Sequence, residues 1–179
     1  MISYCLVKTA AVGELLLVAN ASELIGLYFA GQACDPGIKR EWVRDDRHDV
    51  FRAAGEQLEE YFAGKRKKFA LPLAAVGTAF QKAIWREIAL IPFGETITYG
   101  ELARRAGKPR AIRAAGTATG KNPLGILVPC HRVVGVNGAL GGFAGGLDNK
   151  RALLAVEGKS TSGEPFQAGR SAARRTFTP

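Results

Sequence analysis

Thr98-Tyr-Gly-Glu-Leu-Ala-Arg-Arg-Ala-Gly-Lys-Pro-Arg-Ala-Ile-Arg-Ala-Ala-Gly-Thr-Ala-Thr119 decides the architecture of the second half of the chain. Thr98 and Glu101 have the spacing of a capping box, in which a hydroxyl and a carboxyl take up free N–H groups at a helix start, so a short helix is expected from Thr98 through residue 106. Gly107 and Pro109 turn the chain, and an Ala-rich helix is expected over residues 110–119. Helix, short turn with glycine, helix is a helix-turn-helix layout. In the second helix Ala111, Ala114, Ala115, Gly116 and Ala118 leave a slim surface from which Arg110 and Arg113 project. Such a helix can approach a nucleic-acid groove closely or pack tightly on another helix.

Before this unit, Thr78-Ala-Phe-Gln81 repeats the capping pattern, and Phe80, Ile84, Trp85, Ile88 and Ile91 share one helical face until Pro92-Phe93-Gly94 ends it. After it, Asn122-Pro123 stops the Ala-rich helix, and residues 125–128 read as a short buried strand. Residues 133–136 with Asn137-Gly138 read as a hairpin with a type I′ turn. Gly141-Gly-Phe-Ala-Gly-Gly146 lacks the spacing and the lysine of a phosphate-binding loop, so it is assigned to close backbone approach. Asp148 is the expected N-cap of a last helix over residues 150–157 that closes at Gly158.

The first third reads differently. Residues 2–7, 15–19 and 24–29 are short β-type runs separated by turn residues, a small antiparallel sheet. Phe51, Ala54, Leu58, Tyr61 and Phe62 recur at helical spacing, an amphipathic helix that covers it and ends at Ala63-Gly64. Lys65-Arg-Lys-Lys68 through Gly77 reads as a linker. The expected fold class is therefore α+β, with a sheet-plus-helix domain over 1–77 and a mainly helical domain over 78–158 that carries the helix-turn-helix and a short strand or hairpin. A disordered basic tail is expected over 159–179.

The chain has 179 residues and is 47% hydrophobic, enough for a sizeable core. Its formal charge of +9 is unevenly placed: residues 1–77 are neutral, 78–158 carry +6 and 159–179 carry +3. A polyanionic partner is expected at the second half. No apolar run reaches the ~18 residues of a membrane span, and Met1-Ile-Ser-Tyr-Cys-Leu-Val-Lys8 lacks the pattern of a secretory signal. Three cysteines, Cys5, Cys34 and Cys130, do not make a disulfide framework, so a reducing, cytoplasmic setting is expected. With His48 they supply no close ligand pair, and neither a metal nor another cofactor is expected.

Chemistry concentrates at Pro129-Cys-His-Arg-Val133. A free thiol is only a few per cent ionised at neutral pH, so a working nucleophile needs a base or a positive charge beside it, and His131 and Arg132 are the candidates. Spacing alone leaves this open. Neighbours on a strand point to opposite faces, so His131 reaches Cys130 only if the backbone turns or a water intervenes, and a free cysteine is also a common core residue.

Taken together, Pro129-Cys-His-Arg-Val133, Thr98-Tyr-Gly-Glu-Leu-Ala103, Arg113-Ala-Ala-Gly116, Asn122-Pro123, Gly142-Phe-Ala-Gly-Gly146 and Glu157-Gly158 resemble the O6-alkylguanine-DNA alkyltransferase family, over residues 80–158 and in the small N-terminal domain. The resemblance implies direct reversal of DNA damage: an O6-alkylguanine is flipped out of duplex DNA, and its alkyl group moves irreversibly to the protein's cysteine, once per molecule. It implies Cys130 as acceptor, His131 as a base acting through a water, and Glu157 as the carboxylate that orients His131. Tyr99 matches the phenol that helps neutralise departing guanine. Arg113, with Ala114 and Arg110 on the same helix, matches the finger that fills the vacated base stack from the minor groove. Asn122 matches a link between the helix-turn-helix and the active-site strand, and the Val133 carbonyl and the backbone near Ala144, with Arg132 as support, match the base pocket. The implied partner is double-stranded DNA, bound by a monomer, with O4-alkylthymine left open as a second substrate. Ala144 stands where some relatives have serine, and the metal ligands that some relatives hold in the N-terminal domain have no obvious counterpart. Two other classes compete: a non-enzymatic helix-turn-helix regulator and a cysteine hydrolase using Cys130 and His131.

Overall fold

A computed structural model describes residues 1–159. Strands β1 (Ser3–Thr9), β2 (Gly13–Ala19) and β3 (Leu24–Phe29) form an antiparallel meander. A two-residue strand that the sequence pattern missed, β4 (Val43–Arg44), adds parallel to β1 and gives the order β3-β2-β1-β4. It was invisible because both residues are exposed and carry no alternation. Helix α1 (Asp49–Phe62) buries Phe51, Ala54, Leu58 and Tyr61, the stripe its spacing demands.

The expected linker does not hang free. Leu24 N–H donates to the Pro72 carbonyl and Ala74 N–H to Leu24, so the linker lies along the open edge of β3. Further along that edge, Leu27 exchanges backbone hydrogen bonds with Pro123 and Gly125. An unpaired sheet edge is thereby used to hold the two halves together.

Helix α2 (Ala79–Ala89) starts with the full capping box: the Thr78 hydroxyl accepts from Gln81 N–H while the Gln81 side chain accepts from Thr78 N–H. It buries Ile84, Trp85 and Ile88, and the Trp85 indole N–H donates to the Ala118 carbonyl at 2.8 Å. Strand β5 (Ile97–Thr98) leads into α3 (Tyr99–Arg105) and then α4 (Ile112–Gly120). The α3 capping box is only half made. Thr98 Oγ1 accepts from Glu101 N–H, whereas the Glu101 carboxylate turns outward to Arg104 and Arg105. α4 starts two residues later than its composition suggested, with no side-chain cap at Ala111.

Three local expectations fail in the final third. Residues 125–128 form no strand. Only Leu124 bridges to Leu27, and the chain then turns with Ile126 at φ 67°. The expected hairpin lacks a second strand. β6 (Val133–Val134) pairs parallel with β5, although Asn137 (φ 57°) and Gly138 (φ 76°) make the left-handed pair of a type I′ turn, closed by Ala139 N–H on the Val136 carbonyl. The last helix, α5 (Leu147–Val156), begins before Asp148, so Asp148 lies in its first turn and pairs with Arg151 instead of capping. The expected tail, apart from Lys159, falls outside the described residues.

Candidate active site

Cys130 does not sit on a strand. Cys130–Arg132 form one turn of 3-10 helix packed against α2 and α5, so the backbone does turn at the cysteine, and all three residues are buried. Asn122, at the end of α4, fixes the entry to this turn. Its amide donates to the Val128 carbonyl at 2.8 Å and to Cys130 Sγ at 3.2 Å, while its oxygen accepts from Leu124 N–H at 3.0 Å. One side chain thus ties the second helix of the helix-turn-helix to the thiol.

Burial pushes the Cys130 thiol up to about 11, although the Asn122 hydrogen bond and the charge of Lys150 favour the thiolate. At rest it is a neutral thiol that needs a base. His131 is fully buried, and its Nε2 lies 2.8 Å from Glu157 Oε1. Burial holds the imidazole below its ordinary value despite the facing carboxylate, so it is neutral and able to accept a proton. Its Nδ1 is buried without a protein partner among the described residues.

Glu157, just past α5, is the hub. Besides His131 it accepts from Arg132 Nη2 at 2.8 Å, from the Tyr61 hydroxyl at 2.7 Å and from Gly94 N–H at 3.0 Å. Burial raises a carboxyl, yet these donors outweigh it and hold Glu157 well below the usual carboxylate range. The carboxylate therefore stays charged, and so able to hold His131 in one orientation.

Arg132 is not the cation that serves Cys130. Its guanidinium is engaged by Glu157 and the Ile91 carbonyl, which makes it support for the hub and not part of a base pocket. The cation that reaches Cys130 is Lys150, fully buried, with Nζ 2.7 Å from the Val133 carbonyl. Lys150 and Tyr61 are the residues bonded into this site that sequence reasoning did not single out. Lys150 lies three and four residues before Leu153 and Leu154, on the buried face of α5, and a lysine at such a position was the available signal. Tyr61 was read only as core, although a buried phenol hydroxyl needs a partner.

Above the thiol lies a small cavity of about 20 Å³, walled by Cys130, Asn122, Cys34, Phe143, Ala144 and Gly145. The glycine loop reaches it by close approach: a Cβ on Gly145 would come within 2.4 Å of the Phe29 ring. Cys34 N–H donates to the Ala144 carbonyl, so the N-terminal part contributes a wall. Tyr99 is half-buried, and its ring lies within reach of both Gly116 on α4 and Gly141 in the loop. Arg110, Arg113 and Ala114 are exposed, and neither arginine has a carboxylate partner among the described residues. All three cysteines are free, and no group of three or more metal-ligating side chains is assembled among the described residues.

Comparisons with known proteins agree with this geometry. Residues 79–159 match the family model for the 6-O-methylguanine DNA methyltransferase DNA-binding domain, and residues 2–75 that for the ribonuclease-like domain of the same family. A methylated-DNA–protein-cysteine methyltransferase of Methanosarcina acetivorans is 44% identical over 155 residues, 87% of this chain and 98% of the relative. One from Mycobacterium leprae is 40% identical over 86% of this chain and 92% of its own. The solved structure of Mycobacterium tuberculosis OGT in complex with DNA superposes with a TM-score of 0.79 at 41% identity, covering 87% of this chain and 92% of that one. Cys130 and His131 buried on one turn, with His131 on Glu157, together with these matches along nearly the whole described length, show that the chain belongs to the 6-O-methylguanine DNA methyltransferase family.

Proposed function

We propose that Cys130 accepts the alkyl group of an O6-alkylguanine flipped out of duplex DNA, in a single irreversible transfer. His131 takes the thiol proton through a water at Nδ1. The sulfur then attacks the alkyl carbon, the bond from that carbon to guanine O6 breaks, and the electron pair leaves with the base. Glu157 holds the resulting imidazolium, and Tyr99 donates to the departing guanine. A thioether has no easy hydrolytic exit, so each molecule acts once. Family membership sets aside the regulator and hydrolase readings.

The observation that carries the proposal is the placement of Cys130, which lines the cavity while the next residue, His131, is held by Glu157. Burial favours a neutral thiol at Cys130 and a neutral imidazole at His131, while the donors around Glu157 keep its carboxylate charged. Arg113, exposed at the start of α4 and without a carboxylate partner among the described residues, enters the base stack, with Arg110 and Ala114 against the backbone of the minor groove. The Val133 carbonyl, which has a second lone pair beyond its bond to Lys150, and the loop backbone near Ala144 read the base edge. The chain works as a cytoplasmic monomer in two parts, 1–77 carrying the wall and hub contacts and 78–158 the chemistry. O4-alkylthymine is a second substrate to test.

Incubation with an oligonucleotide carrying O6-methylguanine should remove no more than one methyl group per protein, with the added mass on the peptide that holds Cys130. Cys130→Ser should abolish transfer and leave duplex affinity within about threefold. Repeated turnover, or transfer that survives the substitution, would refute the assignment.

A further inference from the structure

Away from the cysteine cavity, two hollows of about 520 and 390 Å³ share Leu73 and Ala89 and so make one continuous groove. Its walls come from the segment before α2, from α2 and the residues that follow it, and from the stretch leading to Cys130; no residue of α3 or α4 lines it. The floor is aliphatic, with Leu124, Leu127 and Val128 buried beneath, and large apolar groups stand open along it: Leu90 is 69% exposed and Leu73 37%. An exposed apolar surface of this extent on a monomer marks an interaction site.

The charge along the groove has one sign. Lys67 and Lys68 stand at one end, Lys82 and Arg86 at the other, and no Asp or Glu lines either hollow. These four are exposed, and none has a carboxylate within salt-bridge distance among the described residues; the fifth cation of the lining, Arg132, is buried and held by Glu157. Arg44, Arg66 and Arg104 elsewhere on the surface do have carboxylates, on Asp46, Glu60 and Glu101. Free cations around an aliphatic floor complement acidic residues set between large apolar ones. A nucleic-acid strand shares the charge, but its bases need open aromatic faces. Here Trp85 is 4% exposed, Lys67 lies over the Phe93 ring and Phe69 packs against Tyr61.

We propose that this groove docks an acidic, apolar peptide segment of a protein partner, in the manner of an amphipathic segment laid in a hydrophobic groove. Because the helix-turn-helix contributes nothing to its walls, the partner and DNA can be held at the same time. Val128 and Pro129 line the groove and run directly into Cys130, so the occupant sits against the wall of the reactive turn.

The test is a selection of random displayed peptides of about 12 residues on the full chain, followed by fluorescence anisotropy of a labelled selected peptide. Selected peptides should be enriched in Asp and Glu together with Phe, Leu or Ile. Binding should weaken about tenfold or more with Leu90→Glu and, independently, with the pair Lys82→Glu and Arg86→Glu. Both variants alter exposed positions only and should retain methyl transfer, and lesion-bearing duplex should not displace the peptide. Selections without acidic enrichment, peptides that bind both variants as tightly as the unaltered chain, or displacement by a short single-stranded oligonucleotide would each overturn the proposal, the last by making the groove a nucleic-acid channel.

Discussion

Two carboxylates in this molecule are each held by charged hydrogen-bond donors at close to 2.8 Å, yet they stand in opposite surroundings. Glu101, on the first helix of the helix-turn-helix, is gripped by Arg104 and Arg105, with side chains 29%, 67% and 35% exposed. Glu157 is gripped by Arg132 and His131 with no exposure of the carboxylate at all, and it adds the Tyr61 hydroxyl and Gly94 N–H. Their carboxyls move in the same direction: the Arg104 and Arg105 hydrogen bonds hold Glu101 at about 2, and Glu157 is held below the usual range against the cost of its own burial. The consequences differ. Around Glu101 water can replace any partner that is lost, whereas around Glu157 a lost partner leaves a buried charge uncompensated.

Glu157→Gln breaks the comparison hardest. It keeps the shape of the side chain but leaves Arg132 buried without its counter-charge and His131 without the anion that holds it. Unfolding in denaturant should show a loss of about 3–5 kcal/mol. Single-turnover transfer should fall by about 10²–10⁴-fold, because the base is no longer oriented or stabilised when protonated. A variant as stable as the unaltered chain would mean that Glu157 is not a hub.

Acid tests the same difference without mutation. Both His131 and Glu157 have folded values below their unfolded ones, so in each case the unfolded chain binds protons more readily. Stability is therefore complete above about pH 6.5. It falls as the unfolded imidazole takes a proton that the buried one refuses, and falls again below about 4.3 as the unfolded carboxyl protonates ahead of Glu157. Thermal unfolding followed from pH 8 to about pH 2.5 should show a falling midpoint in the unaltered chain, and in Glu157→Gln the limb below about 4.3 should flatten. A midpoint that rises on acidification would contradict the burial-driven direction for His131.

The contrast also explains what the sequence could reveal. Locally encoded features were legible, namely the Thr78–Gln81 capping box, the α1 stripe and the Asn137-Gly138 turn, and the resemblance gave the pairing of His131 with Glu157. Features decided by distant partners were not. Tyr61 and Glu157 are 96 positions apart, so nothing local announces their hydrogen bond. Residues 125–128 have the composition of a strand, but Asn122 ties down Leu124 and Val128, and Leu27 takes the backbone bonds of Gly125, so the chain turns. Arg132 stands next to His131 in sequence, which suggested a role beside the thiol. A 3-10 turn with Glu157 as a buried anion draws its guanidinium away and leaves that role to Lys150.

The smallest effect is expected at the exposed carboxylate, and it is the sharpest control. In Glu101→Gln the two arginines lose a partner but keep water, and the Thr98 hydroxyl still accepts from the backbone N–H of residue 101 because that bond does not use the Glu101 carboxyl. The melting midpoint should therefore move by less than about 2 °C, and the small shift should shrink further in 0.5 M salt, where screening acts within a few ångströms. Freed from their carboxylate, Arg104 and Arg105 raise the net positive charge of the helix-turn-helix, so duplex affinity should rise slightly, with a steeper salt dependence if either arginine contacts a phosphate. A loss of stability approaching that of Glu157→Gln would show that charge pairing itself, and not the exclusion of water around it, is what separates the two sites.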